Sequence, residues 1–243
     1  LCPGCPHRAV FHILNKKKLT VAGDIGCYTL GALKPLGAMD STLCMGASIG
    51  TAMGMEKARG IEGSRKTVAV IGDSTFIHSG ITPLIDVVYN QGNTTVIILD
   101  NSTTAMTGHQ DHPGTGVTIQ KAEAPKLDLE AMVKAIGIRR VTAVDPINIK
   151  ELEKVIMEEL AFEGPSVIIA VRPCALIDSN KYPPLVVEKD KCKACKACIK
   201  IGCTGMYWVE EEKLAYINPD LCIGCGLCVE ICKFDAVVER AVM

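Results

Sequence analysis

The sequence lacks an excess of either charge, a long apolar run and an export-type leader, and each lack removes a class of function. Twenty-six basic residues face 27 acidic ones, a formal net charge of −1. No concentrated basic surface of the kind that binds nucleic acid is therefore expected. No stretch of about 20 apolar residues occurs, so no membrane-spanning helix is expected either. The opening residues Leu1, Cys2 and Pro3 bring no initiator Met, basic segment or apolar segment. On that basis no secretory signal and a cytoplasmic setting are expected, and the chain reads as a processed or excised piece of something longer. Low-complexity tracts are also missing. With 48% hydrophobic residues over 243 positions, one large domain and one small one can each bury a core.

Cysteine, by contrast, is abundant. In a chain with no export signal, 13 cysteines favour metal or cluster ligation over disulfides. Cys2, Cys5, Cys27, Cys44 and Cys174 are scattered, whereas eight lie between Cys192 and Cys232. There a Cys-x2-Cys-x2-Cys run with a fourth cysteine occurs twice: Cys192, Cys195, Cys198 with Cys203, and Cys222, Cys225, Cys228 with Cys232. Three thiolates on one tight loop suit three corners of a four-iron cubane, and in two-cluster ferredoxins the fourth ligand comes from the other run. That crossing assigns Cys192, Cys195, Cys198 and Cys232 to one [4Fe-4S] cluster, and Cys222, Cys225, Cys228 and Cys203 to a second. The first run carries a longer spacer before Cys203, and Thr204 and Lys233 stand where proline is usual. A pair of structural zinc sites is the alternative, though zinc normally takes two separated Cys-x2-Cys pairs.

Upstream, β-rich apolar runs alternate with segments long enough for helices. Strands are expected at Leu19–Gly23, Thr67–Ile71, Thr95–Leu99, Ile138–Val144 and Ser166–Val171, with helices near Gly46–Arg59, Gly80–Asn90, Leu127–Ile136 and Ile147–Phe162. This alternation implies an α/β fold, a doubly wound parallel sheet, whose ligands bind beyond the carboxyl ends of strands. The segment Asn180–Pro184 breaks the pattern, dividing a domain over 1–182 from a small α+β iron-sulfur domain over 183–243.

Two strand ends carry chemistry. Gly72-Asp73-Ser74 follows one strand and Asp100-Asn101 the next, 30 residues apart inclusive, the length of a strand end, a helix and a return strand. A hard cation such as magnesium wants oxygen donors, and Asp73 and Asn101 supply a carboxylate and an amide carbonyl. The N–H groups opening the helix after Gly72 would receive phosphates. An ordinary turn at Gly72–Ser74 and a helix cap at Asp100-Asn101 are the alternatives.

These segments resemble the diphosphate motif of thiamine-diphosphate enzymes, here GDS ending in DN where GDG ending in NN is commoner. Cys2-Pro-Gly-Cys5-Pro-His7-Arg8, Gly23-Asp-Ile-Gly-Cys27, Met45-Gly-Ala-Ser-Ile-Gly50, Thr107-Gly108-His109-Gln110 and Arg172-Pro-Cys174 occur in the order found in 2-keto acid:ferredoxin oxidoreductases. The CPGCPHR opening and the two-cluster tail look closest to the aryl-pyruvate (indolepyruvate) branch. The resemblance implies a thiamine-diphosphate-binding fold followed by a ferredoxin-like domain. It places Gly72, Asp73, Ser74, Thr75, Asn101, Thr103, Cys27 and Gly46 at the cofactor, with Thr103 lending its carbonyl to Mg2+. It also makes Cys2, Cys5, Cys27 and Cys174 ligands of a third [4Fe-4S] cluster.

Oxidative decarboxylation of an aryl 2-keto acid is the implied activity, with the acyl group passing to coenzyme A and electrons to ferredoxin. The glutamate that activates the cofactor sits on a pyrimidine-binding domain in such enzymes. Nothing here resembles that domain, so a partner chain or segment is expected. Pyruvate, 2-oxoglutarate or a branched 2-keto acid as substrate remains open, as does a non-catalytic electron-transfer module. His109 and His112, beside the cofactor loop, are the candidates for proton transfer or substrate positioning. His78 reads equally as a helix cap or a cofactor neighbour. Cys44 reads as structural, Met39, Met45, Met53 and Met55 as helix packing, and Lys16-Lys17-Lys18 as a solvated helix end.

Overall fold

The structure is a computed structural model and describes residues 1–180 and 182–240. In chain order the larger unit comprises α1 (His7–Lys17), β1 (Thr20–Gly23), β2 (Ser41–Thr42), α2 (Ala47–Arg59), α3 (Ile61–Ser64), β3 (Thr67–Gly72) and α4 (Asp73–Thr75). A π turn over Phe76–Gly80 leads into α5 (Ile81–Tyr89), followed by β4 (Thr95–Asp100), α6 (Leu129–Ile136), β5 (Arg140–Val144), α7 (Ile149–Ala161) and β6 (Ser166–Val171). Caps fix several ends. Asp128 accepts the Ala131 N–H at the start of α6, and Gly137 closes that helix in the left-handed region at φ 113°.

The six strands form one parallel sheet in the order β2-β1-β3-β4-β6-β5. Alternate residues feed two cores. Val68, Val70, Ile97, Leu99, Ile168 and Ala170 face α1 and α7, while Ala69, Ile71, Val96, Ile98, Val167 and Ile169 face α2, α5 and α6. A strand buried on both faces needs a continuous apolar run, and β3, β4 and β6 have one. The chain steps outward from β1 to β2 in one direction and from β3 to β4 in the other, so the sheet's switch point lies between β1 and β3.

The structure departs from the sequence reading in detail. Strand β2 adds a sixth member to the expected five; it is two polar residues pairing with Ala22 and Gly23. Ile138 belongs to the core beneath β5, not to the strand. Lys16 and Lys17 are not simply solvated: both reach Glu153 on α7, at 2.7 and 2.8 Å.

In the tail, β7 (Leu185–Val187) pairs antiparallel with β10 (Val237–Glu239), and β8 (Met206–Val209) with β9 (Leu214–Ile217). A 3-10 turn at Cys198–Ile201 and α8 (Leu227–Ile231) complete it. Leu185, Met206, Ala215, Ile217, Cys228 and Val237 form its own core. Ile201 and Leu227 instead join the core beneath α1 and α7, which docks the tail on that face of the sheet. We propose the division at 182/183, because Leu185 is the first residue of the tail core. The linker residue Lys181 lies outside the described residues.

Among the described residues no helix is long and apolar enough to cross a membrane.

Candidate cofactor and cluster sites

The carboxyl ends of β1, β3 and β4 enclose a pocket lined by Cys27, Tyr28, Gly72, Asp73, Ser74, Thr75, Asn101 and Thr103, among others. Gly72 pairs with Leu99 across β3 and β4, so Asp73 and Asp100 leave neighbouring strands side by side. The geometry thus brings together every residue expected at the diphosphate and metal.

Asp24 organises the pocket's other wall. It is fully buried, and its carboxylate accepts the backbone N–H groups of Gly46, Ser48 and Ile25. That fixes the start of α2 against β1. Gly46 sits at φ 88°, and a Cβ there would lie 2.5 Å from Ser79 Cβ and 2.8 Å from its carbonyl oxygen, so only glycine fits. A Cβ on Gly72 would lie 2.7 Å from the Tyr28 ring. The Tyr28 hydroxyl donates to the Ile25 carbonyl at 2.9 Å and lies 3.4 Å from Thr75 Oγ1.

The donor set fits a hard divalent cation. Asp73, Asn101 and Thr103 are buried, and Asp73 accepts the N–H groups of Ser74 and Ser102, at 2.8 and 3.0 Å. Asp100 next to it has its pKa raised, first by burial and then by the Asp73 charge. A buried and a half-buried carboxylate at adjacent strand ends repel one another, and a cation held by Asp73 would relieve that repulsion. Thr104 ties the following loop back to the motif, donating to Ser74 Oγ at 2.8 Å.

The candidate histidines fall elsewhere. His112 Nε2 stands 3.3 Å from Asp73 Oδ2, a close contact that lacks hydrogen-bond geometry and leaves Nε2 without a partner. Its Nδ1 accepts the Gly114 N–H, and it lines a separate cavity with Asp100. His109 Nε2 lies 3.9 Å from Cys174 Sγ. Neither lines the cofactor pocket, and His78 is exposed on the π turn. Met45 precedes α2 and lines the pocket at 53% exposure, rather than packing a helix. Cys44, read as structural, is exposed.

Two residues that shape the pocket fall within the sequence motifs but have no role of their own assigned there. Asp24 sits between glycine and isoleucine, and its role depends on backbone 22 to 24 residues away. His7 lines the pocket from the first turn of α1, its ring edge-on to Tyr28 with centroids 6.1 Å apart. Burial lowers its pKa to about 4 against the opposing pull of Asp73, so the imidazole is neutral. Its place within the Cys2–Arg8 segment was the one available signal.

The cysteines gather into three sets. Cys192, Cys195, Cys198 and Cys232 line one cavity in the tail, and the Cys198 thiol is raised by burial and by those three neighbours. Burial likewise raises Cys228, which feels Cys225, Cys222 and Cys203. The fourth member of each set thus comes from the other run. Cys5 is pushed up to about 12, chiefly by burial, and feels Cys174 and Cys2; Cys27 also feels Cys174 and Cys2. Among the described residues no three His, Cys, Asp or Glu side chains converge on a single ion. A cubane spreads its four thiolates over four irons, so it does not require them to converge on one ion.

Residues 24–170 match the family described as thiamine pyrophosphate enzyme, C-terminal TPP binding domain, and the chain belongs to it. Residues 215–238 match the 4Fe-4S binding domain. The chain is 42% identical over 257 residues to the indolepyruvate oxidoreductase subunit IorA of Pyrococcus abyssi, covering 97% of this chain and 40% of that protein. It is 41% identical over 248 residues to the IorA of Methanothermobacter thermautotrophicus, covering 98% and 39%. The chain therefore spans about 40% of the length of these curated relatives. Its fold is shared with the 2-oxoglutarate:ferredoxin oxidoreductase of Magnetococcus marinus, at TM-score 0.62 and 17% identity over 74% of this chain and 65% of that one.

Proposed function

We propose that this chain is the cofactor-binding and cluster-bearing part of an oxidoreductase that decarboxylates aryl 2-keto acids of the indolepyruvate type. The acyl group goes to coenzyme A and the electrons to a ferredoxin. One observation carries the reading: the cysteine sets run outward from the pocket without a break. Cys27 lines the pocket, and both it and Cys5 feel Cys2 and Cys174. Gly4, inside that Cys2–Cys5 loop, lies against Ile223 and Cys225 of the next set. The two tail sets share one core.

Asp73, Asn101 and the Thr103 carbonyl would hold the Mg2+, and the N–H groups opening the helical run from Asp73 to Tyr89 would take the diphosphate. Thiamine diphosphate, when bound, supplies the carbanion and the electron sink. The chain's own residues orient it: Gly46 and Gly72 let the backbone approach, while Tyr28 and neutral His7 close the floor against water. The pocket is ≈ 100 Å³, below the ~300–1,000 Å³ of complete small-molecule sites. A pyrimidine-binding segment or chain supplies the missing wall. The similarity to the IorA subunits supports the aryl preference.

The test is an anaerobic assay of the assembled enzyme with indolepyruvate, pyruvate, 2-oxoglutarate and a branched 2-keto acid, with and without Mg2+. Indolepyruvate should give the highest kcat/KM. Faster turnover of pyruvate would overturn the aryl assignment, and cofactor binding indifferent to Mg2+ would overturn the metal site.

A further inference from the structure

Arg8 is buried, at 2% exposure, yet its guanidinium spends its hydrogen bonds on main-chain carbonyls. Nε donates to Cys2 O at 3.0 Å and Nη2 to Leu1 O; Nη1 donates to Gly202 O and reaches Ile201 O at 3.4 Å. Carbonyl dipoles solvate a cation but do not cancel its charge, and burying a cation on such terms is costly. A residue that only stitched two loops together would not need that charge.

The two loops it joins are those that bring different cysteine sets together. Leu1 and Cys2 belong to the segment carrying Cys2 and Cys5; Ile201 and Gly202 lead directly into Cys203. The same junction is closed from its other side by Gly4, at φ 68°, where a Cβ would lie 2.2 Å from Ile223 Cδ1 and 3.4 Å from Cys225 Cβ. The positive charge therefore stands between the near-cofactor set and the Cys203, Cys222, Cys225, Cys228 set.

We propose that Arg8 is a positioning residue for electron transfer. Its fork locks the Cys2–Cys5 loop to the segment entering Cys203, and its charge raises the reduction potentials of the two clusters held there. The proposal rests on the cluster assignments above. The step it serves is a single-electron exchange: the near-cofactor cluster goes from its reduced to its oxidised core as the tail cluster goes from oxidised to reduced, with no bond or proton exchanged. A reduced core there would carry one more negative charge, and a fixed cation nearby would stabilise it. Net charge and hydrogen bonding are the protein's usual levers on cluster potential. Lysine would keep the charge, but a single ammonium cannot span both loops as the planar fork does.

The test uses the assembled, cluster-loaded enzyme under anaerobic conditions, comparing wild type with Arg8→Gln and Arg8→Lys by spectroscopically monitored redox titration and by iron content. Arg8→Gln should make both junction clusters harder to reduce, by about tenfold in the one-electron equilibrium, or ~59 mV. The cluster on Cys192, Cys195, Cys198 and Cys232 should move less. Arg8→Lys should keep both potentials near wild type while lowering thermal stability. Full iron in Arg8→Gln with both potentials unchanged would overturn the proposal and leave Arg8 as a stitch. Should Arg8→Gln fail to hold its iron, Arg8→Lys decides: retained potentials support the charge, and lowered ones overturn it. A wild-type enzyme with no near-cofactor cluster would sink that cluster assignment instead, and the Arg8 effect would then be read on the Cys203 cluster alone.

Discussion

Both carboxylate oxygens of Asp24 accept the backbone N–H of Gly46, at 2.8 and 3.0 Å. One also takes the N–H of Ser48 at 3.1 Å. This anchors the N-terminus of α2 to the end of β1, and so sets the wall of the cofactor pocket that holds Cys27 and Tyr28. Bonds to a buried charged acceptor are worth about 1.5–3 kcal/mol each, and orphaned N–H groups add a penalty. Asp24→Ala should therefore destabilise the protein by about 3 kcal/mol or more in chemical denaturation, and Asp24→Asn by less, since one acceptor oxygen remains. A loss below ~1 kcal/mol for the alanine variant would show that solvent replaces these bonds.

Removing the Asp73 carboxylate tests the metal site directly. Asp73 and Asp100 stand at neighbouring strand ends, where a bound cation would offset their mutual repulsion. Asp73→Ala should abolish Mg2+-dependent binding of thiamine diphosphate in calorimetry and leave the iron content intact. Unchanged affinity would refute the assignment.

The third cysteine set makes a countable difference. With four-iron clusters on all three sets, the anaerobically purified protein should hold about twelve iron atoms, against about eight with the tail alone. Cys27→Ala should lower the higher figure by one cluster's worth. An iron count indifferent to that change would reduce Cys27 to a packing residue beside the pocket.

What the sequence could reveal followed from how local each signal is. Strands β3, β4 and β6 are buried on both faces, so their apolar runs announce them. β2 is two polar residues held only by pairing with Ala22 and Gly23, and no local pattern marks it. Asp73 and Asn101 are legible because each follows a recognisable strand by one residue. Asp24 and His7 are not, because each acts on groups tens of residues away through the fold. The expected cysteine crossing rests on spacing alone, whereas the contact of Gly4 with Cys225 joins residues 221 positions apart and is visible only in the folded chain. His109 and His112 looked alike in sequence, yet one stands beside Cys174 and the other behind Asp73.

Dependence on a partner follows from what surrounds the pocket. Activating thiamine diphosphate requires a carboxylate at hydrogen-bond distance from the pyrimidine ring, since proton transfer is effective only at that range. The acids of this chain near the pocket are already engaged: Asp24 holds α2, Asp73 faces the metal position, and Asp100 accepts the Ser102 N–H at 3.0 Å. Asp111 lies on the loop beyond and pairs with Lys121 at 2.5 Å. None is free to act on a pyrimidine. The 243-residue chain alone, even loaded with clusters and cofactor, should therefore not reduce a viologen dye or a ferredoxin with indolepyruvate. Addition of the chain or segment carrying the pyrimidine-binding domain should restore turnover. Dye reduction by the isolated chain at the rate of the full assembly would show instead that an acid within these residues reaches the cofactor.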